Sequence, residues 1–123
     1  MEHQIDIVVE VMYLEEQSNP AQDEYTFAYR ITIKNTSSMN VQLISRHWII
    51  KDAAGEEQEV RGLGVVGEQP VIAPNEAFEY ASGVSLNTPV GTMEGSYQMV
   101  DMYGKRFEVP IAPFILAMPR VLH

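Results

Sequence analysis

Alternation of apolar and polar positions dominates this chain. In "IDIVVEVMYL", Ile5, Ile7, Val9, Val11 and Tyr13 alternate with Asp6, Val8, Glu10 and Met12. A period of two places one face of a strand in a core; a helix spaces its apolar residues by three and four. "YTFAYRITIKN" is the cleanest case. Tyr25, Phe27, Tyr29, Ile31 and Ile33 form one face, and Thr26, Arg30, Thr32 and Lys34 the other. "VQLISRHWIIKD" predicts a third strand with Ile44, Trp48 and Ile50 on one face and His47 opposite. "EQEVR" supplies a fourth, with Gln58 and Val60 on one face, and "AFEYAS" a fifth, with Phe78 and Tyr80 inward. "SYQMVDMYG" and "KRFEVPIAPF" add two more, joined at Tyr103-Gly104.

The connecting segments lack this period. "EEQSNPAQDE" reads as an exposed loop, "NTSSMN" and "AAGE" as turns, and "LNTPVGTMEG" as a turn-rich loop. The tail "LAMPRVLH" is expected to pack on a sheet edge. No segment carries a helical pattern. Strand signals at roughly eight- to fifteen-residue spacing indicate one all-β domain spanning residues 1–123, a β-sandwich of about seven strands with immunoglobulin-like or fibronectin type III-like architecture. Trp48 on the third strand suits the core of such a fold, and Tyr97 is a candidate tyrosine corner.

Composition narrows the function classes. Hydrophobic residues make up 46% of the 123, enough for a core without a disulfide or structural metal. The absence of cysteine removes disulfide scaffolds, thiolate metal sites and cysteine nucleophiles. "MEHQIDIVVE" has neither the basic nor the apolar region of a signal peptide, and no apolar run reaches membrane-spanning length, so a cytoplasmic location is expected and a membrane partner is not. The net charge of −9 repels phosphate backbones, which argues against nucleic acid as a partner.

Several residues invite a chemical reading. Gly62, Gly64 and Gly67 in "RGLGVVGEQP" match the G-x-G-x-x-G spacing of dinucleotide-binding loops. That motif needs a following helix whose N-terminus holds the pyrophosphate. Here Pro70 and Pro74 break any helix, so the glycines read as a shaped connection between strands. A weaker anion or recognition loop, formed by Arg61, Gly62, Gly64 and Gly67, stays open, with Glu59 and Glu68 opposing an anion. Asp52, Glu56, Glu57 and Glu59 cluster without the calcium-loop pattern and read as a charged hairpin tip. His3, His47 and His123 lack metal-ligand spacing, and no metal or other cofactor is expected. Ser45 shares a face with His47 but no third group completes a nucleophilic site; Ser82 and Ser85 have no visible base. No catalytic residue is assigned. Met93, Met99 and Met102 read as core filler.

"RHWIIKDAAGEEQEVRGLGVVGEQPVIAP", "FEYASG" and "TPVGTMEGSYQMV" closely resemble the ApaG family, in order, from about Ile5 to the C-terminus. "EVRGLGVVGEQP" followed by G-x-M-x-G-x-Y is the most specific part. The resemblance implies a fibronectin type III-like sandwich. It implies a genetic link to cobalt resistance and magnesium efflux, and a gene neighbour that hydrolyses diadenosine tetraphosphate. In eukaryotes the module is joined to an F-box protein and to a partner of DNA polymerase delta, which implies protein binding. The glycine motif, discussed in the family as a pyrophosphate loop, maps onto Gly62, Gly64 and Gly67. Leu63, where a polar or acidic residue is expected, and Asn75, where glycine is expected, depart from the pattern; asparagine still suits a turn.

The expected function is therefore a non-catalytic, protein-binding module, monomeric or weakly homodimeric, with Arg61–Pro70 and Thr88–Gly95 as its recognition surface. The alternatives are a weak binder of nucleotide polyphosphates or divalent cations, through the glycine loop or the acidic clusters, and a phosphohydrolase suggested only by the gene neighbour.

Overall fold

The computed structural model describes residues 4–119, so His3, His123 and the end of the tail lie outside it. Eight strands form two antiparallel sheets: β1 (Ile5–Tyr13), β2 (Tyr25–Asn35), β3 (Val41–Asp52), β4 (Glu57–Leu63), β5 (Val71–Ile72), β6 (Ala77–Leu86), β7 (Val90–Asp101) and β8 (Arg106–Ala117). One sheet has the order β1-β2-β6. The other runs β4-β3-β7-β8, with the two-residue β5 also paired to β3. This is the expected fibronectin type III-like sandwich, with β5 added to the seven strands read from the pattern.

The alternation in β2 is reproduced: Tyr25, Phe27, Tyr29, Ile31 and Ile33 are buried between the sheets. They meet Leu43, Trp48, Met93, Tyr97, Met99 and Leu116 from the opposing sheet. Trp48 lies edge-on to Tyr97 and Phe114 at 6.2 and 6.0 Å, and its indole N–H is buried without a hydrogen-bond partner. Met93 and Met99 fill the core, whereas Met102 is exposed.

Three expectations are corrected. In β3 the register against β7 shifts between Leu43 and Ser45. This bulge inserts one residue and reverses the inward phase, so Val41 and Leu43 are buried with Trp48 and Ile50, while Ile44 is only partly buried. In the second correction, Val90–Gly95 is not a loop but the first half of β7, which runs between β3 and β8. Its glycines serve close packing: a Cβ on Gly95 would lie 2.0 Å from the His47 carbonyl oxygen, and one on Gly91 would lie 2.5 Å from that of Lys51. The third concerns Tyr97, which makes no tyrosine corner. Its hydroxyl hydrogen-bonds across the sandwich to that of Tyr80 rather than to upstream backbone.

One buried polar residue organises the approach to the site. Asn35 Nδ2 donates to the carbonyls of Met39 and Ile72, at 2.7 and 2.9 Å. Its Oδ1 accepts from Ser37 N and Oγ at 3.0 and 2.6 Å. This ties β2, the following turn and β5 together. Asn75, at φ 66°, holds the left-handed turn that its position demands.

Candidate functional site

The glycine segment is only partly a loop. Arg61, Gly62 and Leu63 belong to β4 and pair with His47, Arg46 and Ser45. The chain then leaves the sheet, makes a tight turn at Val65–Glu68 and returns as β5. The three glycines have separate jobs. A Cβ on Gly62 would meet Arg46 Nη1 at 2.7 Å, so its bare surface accommodates that guanidinium. Gly64 has φ +63°, and a Cβ there would lie 2.3 Å from the Glu68 carbonyl oxygen. Gly67 has φ +81° with open space around it, the second central position of a two-residue turn.

The first central position is Val66, at φ 43°. Both central residues with positive φ are what a type I′ turn requires, and Asn-Gly is its preferred pair. A β-branched residue there is strained. Two bonds between Val65 and Glu68, at 2.8 and 2.9 Å, close the turn. The base is pinned from several directions. Val65 is buried in the core. Arg46 Nη1 donates to the carbonyls of Leu63 and Gly64 at 3.1 and 2.9 Å. The Ile44 carbonyl, at the β3 bulge, accepts from Gly64 N at 2.8 Å and from Gln69 Nε2 at 2.9 Å. Leu43 N donates to the Pro70 carbonyl at 3.0 Å. The turn therefore holds three apolar side chains in solvent: Leu63 at 75%, Val66 at 56% and Val71 at 60% exposure.

Beside it, the outer face of the sheet carries a polar array over a shallow groove of about 460 Å³. His47 Nε2 lies 2.8 Å from Glu59 Oε1, which also accepts from Arg61 Nη2 at 2.8 Å and Nε at 3.1 Å. The hydrogen bonds from His47 and then Arg61 hold the Glu59 carboxyl below its usual range. Ser45 Oγ donates to Gln98 Oε1 at 2.8 Å, and Gln98 Nε2 donates to Ser96 Oγ at 2.9 Å.

Chemically, this array is self-satisfied. Ser45 and His47 share the predicted face, but Ser45 bonds to Gln98 and His47 to Glu59, so they form no nucleophile–base pair. Arg61, a candidate for the anion loop, directs its guanidinium to Glu59 rather than to the glycine turn. Among the described residues, no group of three His, Asp or Glu side chains is placed to hold a metal ion. Asp52 Oδ1 accepts from Ala54 N and Glu56 N at 2.9 Å each and so organises the hairpin tip. Arg46 is the residue that sequence reasoning passed over. Its only available signal was the pairing of a long base with a glycine across two strands.

The ApaG domain model matches residues 15–101 of this chain. A protein named ApaG from Thiobacillus denitrificans is 60% identical over 121 residues, covering 98% of this chain and 95% of its own length. One from Nitrosospira multiformis is 55% identical over the same span and coverage. A crystal structure of a Bordetella pertussis protein named ApaA superposes with a TM-score of 0.94 at 55% identity, covering 97% of each chain.

Proposed function

The chain belongs to the ApaG domain family, and on that footing we propose that it is a non-catalytic protein-interaction module whose recognition surface is the pinned glycine turn. One observation carries the reading. Val66 is held at φ 43°, exposed, beside exposed Leu63 and Val71, on a turn fastened from beneath by Arg46, Ile44 and Gln69. Backbone strain held at an exposed apolar residue, without a reactive group nearby, fits presentation of a surface to a partner. A rigid apolar display lowers the ordering cost of association. The cytoplasmic location and the link to cobalt resistance and magnesium efflux are part of this proposal, the metal phenotype acting through the partner. A polyphosphate at the same turn would find Arg61 already paired with Glu59 and Arg46 Nη1 already donating to the Leu63 and Gly64 carbonyls.

Affinity capture of the tagged full chain under native expression tests the reading. Leu63→Asp is expected to lose the partner, and Val8→Asp, an exposed valine on β1, to keep it. If Leu63→Asp melts like the parent and retains every partner, the surface assignment is wrong.

A further inference from the structure

The two sheets are unequal. The smaller ends at β6, and the larger extends to β4. On one side β1 packs against β8. In the constant-type immunoglobulin arrangement a fourth strand completes the sheet of the first two strands. Here β4 pairs with β3 instead, and the position beside β6 is vacant among the described residues.

The β6 edge is well formed. Its ten residues pair with β2 without a register shift, from Tyr25↔Leu86 to Lys34↔Ala77. Asn35 N donates to the Glu76 carbonyl at 3.0 Å. Alternate residues from there, Phe78, Tyr80, Ser82 and Val84, face β2 with their backbone groups, so those of Glu79, Ala81, Gly83 and Ser85 face the vacancy. Other edges are blunted. β8 carries Pro110 and Pro113, β4 carries Glu57, Glu59 and Arg61, and β1 abuts β8. β6 has a single charge, Glu79, already 3.3 Å from Arg30 Nε.

At the Leu86 end of this edge lies a pocket of about 200 Å³. Ile50 and Leu86 give it apolar wall, and Asp52, Glu56 and Glu57 give it carboxylates, with no basic residue in the lining. A lysine or arginine packs its methylene stem on such a wall while its head meets the carboxylates. A second copy is a poor occupant: it carries −9, and its β6 contributes no base to the pocket.

We propose that the free edge of β6 takes up an extended basic peptide segment as an added strand, with a lysine or arginine side chain in the Asp52–Glu56–Glu57 pocket. This rests on the reading of the chain as a protein binder but uses a surface separate from the glycine turn. The test is an NMR titration of the isotope-labelled full chain with a capped octapeptide alternating threonine and lysine, beside its threonine–glutamate counterpart. Amide shifts are expected at Ala77–Asn87 and Glu56–Gln58 with the lysine peptide only. Ala81→Pro removes an N–H that β2 does not use and is expected to weaken binding about tenfold or more. Glu56→Gln with Glu57→Gln, both at exposed positions, is expected to weaken binding and its salt dependence, and keeps the test intact if the proline variant unfolds. No shifts at millimolar peptide, equal response to both peptides, or shifts confined to other strands overturns the proposal. Dilution-dependent shifts of the same amides without peptide assign the edge to a second copy and also overturn it. Leu63→Asp is expected to bind the peptide normally, so failure of the turn reading and failure of the edge proposal give different results.

Discussion

The hydroxyls of Tyr80 on β6 and Tyr97 on β7 hydrogen-bond to each other across the sandwich. Both lie in the core, Tyr97 fully buried and Tyr80 at 6% exposure. Removing either hydroxyl leaves the other desolvated with its partner gone. Tyr97→Phe and Tyr80→Phe are therefore each expected to cost about 1–3 kcal/mol. The double variant keeps both rings and removes both polar groups, so its cost should fall well below the sum. A coupling of about 1–2 kcal/mol is expected from a urea denaturation cycle on the four proteins, provided the denaturant slopes agree. Costs that add to within about 0.5 kcal/mol would refute the idea that this bond clamps the sheets together.

The same tyrosines set the alkaline limit. Burial raises the pKa of Tyr29, Tyr80 and Tyr97 above 10. The unfolded chain then loses these protons first, so the stability is fully present below about pH 10 and falls above it, by up to about 1.4 kcal/mol per pH unit for each tyrosine. Denaturant midpoints measured across that range check this; a flat profile would contradict it. Val66→Asn places Asn-Gly in the turn and should add about 1 kcal/mol of stability while weakening partner capture. A thermal melt with a parallel capture experiment reads both, and a stabilised variant that binds as well as the parent would separate strain from recognition.

The strands were legible because burial on one face imposes period two, as Tyr25 to Ile33 show. The β3 bulge was not, since an inserted residue changes which positions point inward without changing the apolar composition. Gly91 and Gly95 misled for a related reason. Glycine marks turns, but it also permits two backbones to approach closely, and only the neighbouring carbonyls of Lys51 and His47 distinguish the cases. Within the candidate site, the glycines at 64 and 67 were readable as positive-φ positions. The exposed Leu63–Val66–Val71 display was not, because exposure depends on how Arg46, Ile44 and Gln69 orient the turn. The hydroxyl pairing of Tyr97 likewise depends on Tyr80, a strand from the other sheet.

Gly62 carries one more consequence. It has ordinary extended backbone, and its missing side chain is the room in which the Arg46 guanidinium lies. The guanidinium keeps this place on the neighbouring strand through its bonds to the Leu63 and Gly64 carbonyls. A chain of this fold that gained a side chain at 62 would push the flexible end of Arg46 aside, and the carbonyls of Leu63 and Gly64 would then need another donor. The first glycine of the motif in that sense serves the arginine on the neighbouring strand, leaving its guanidinium free to lie beneath the turn.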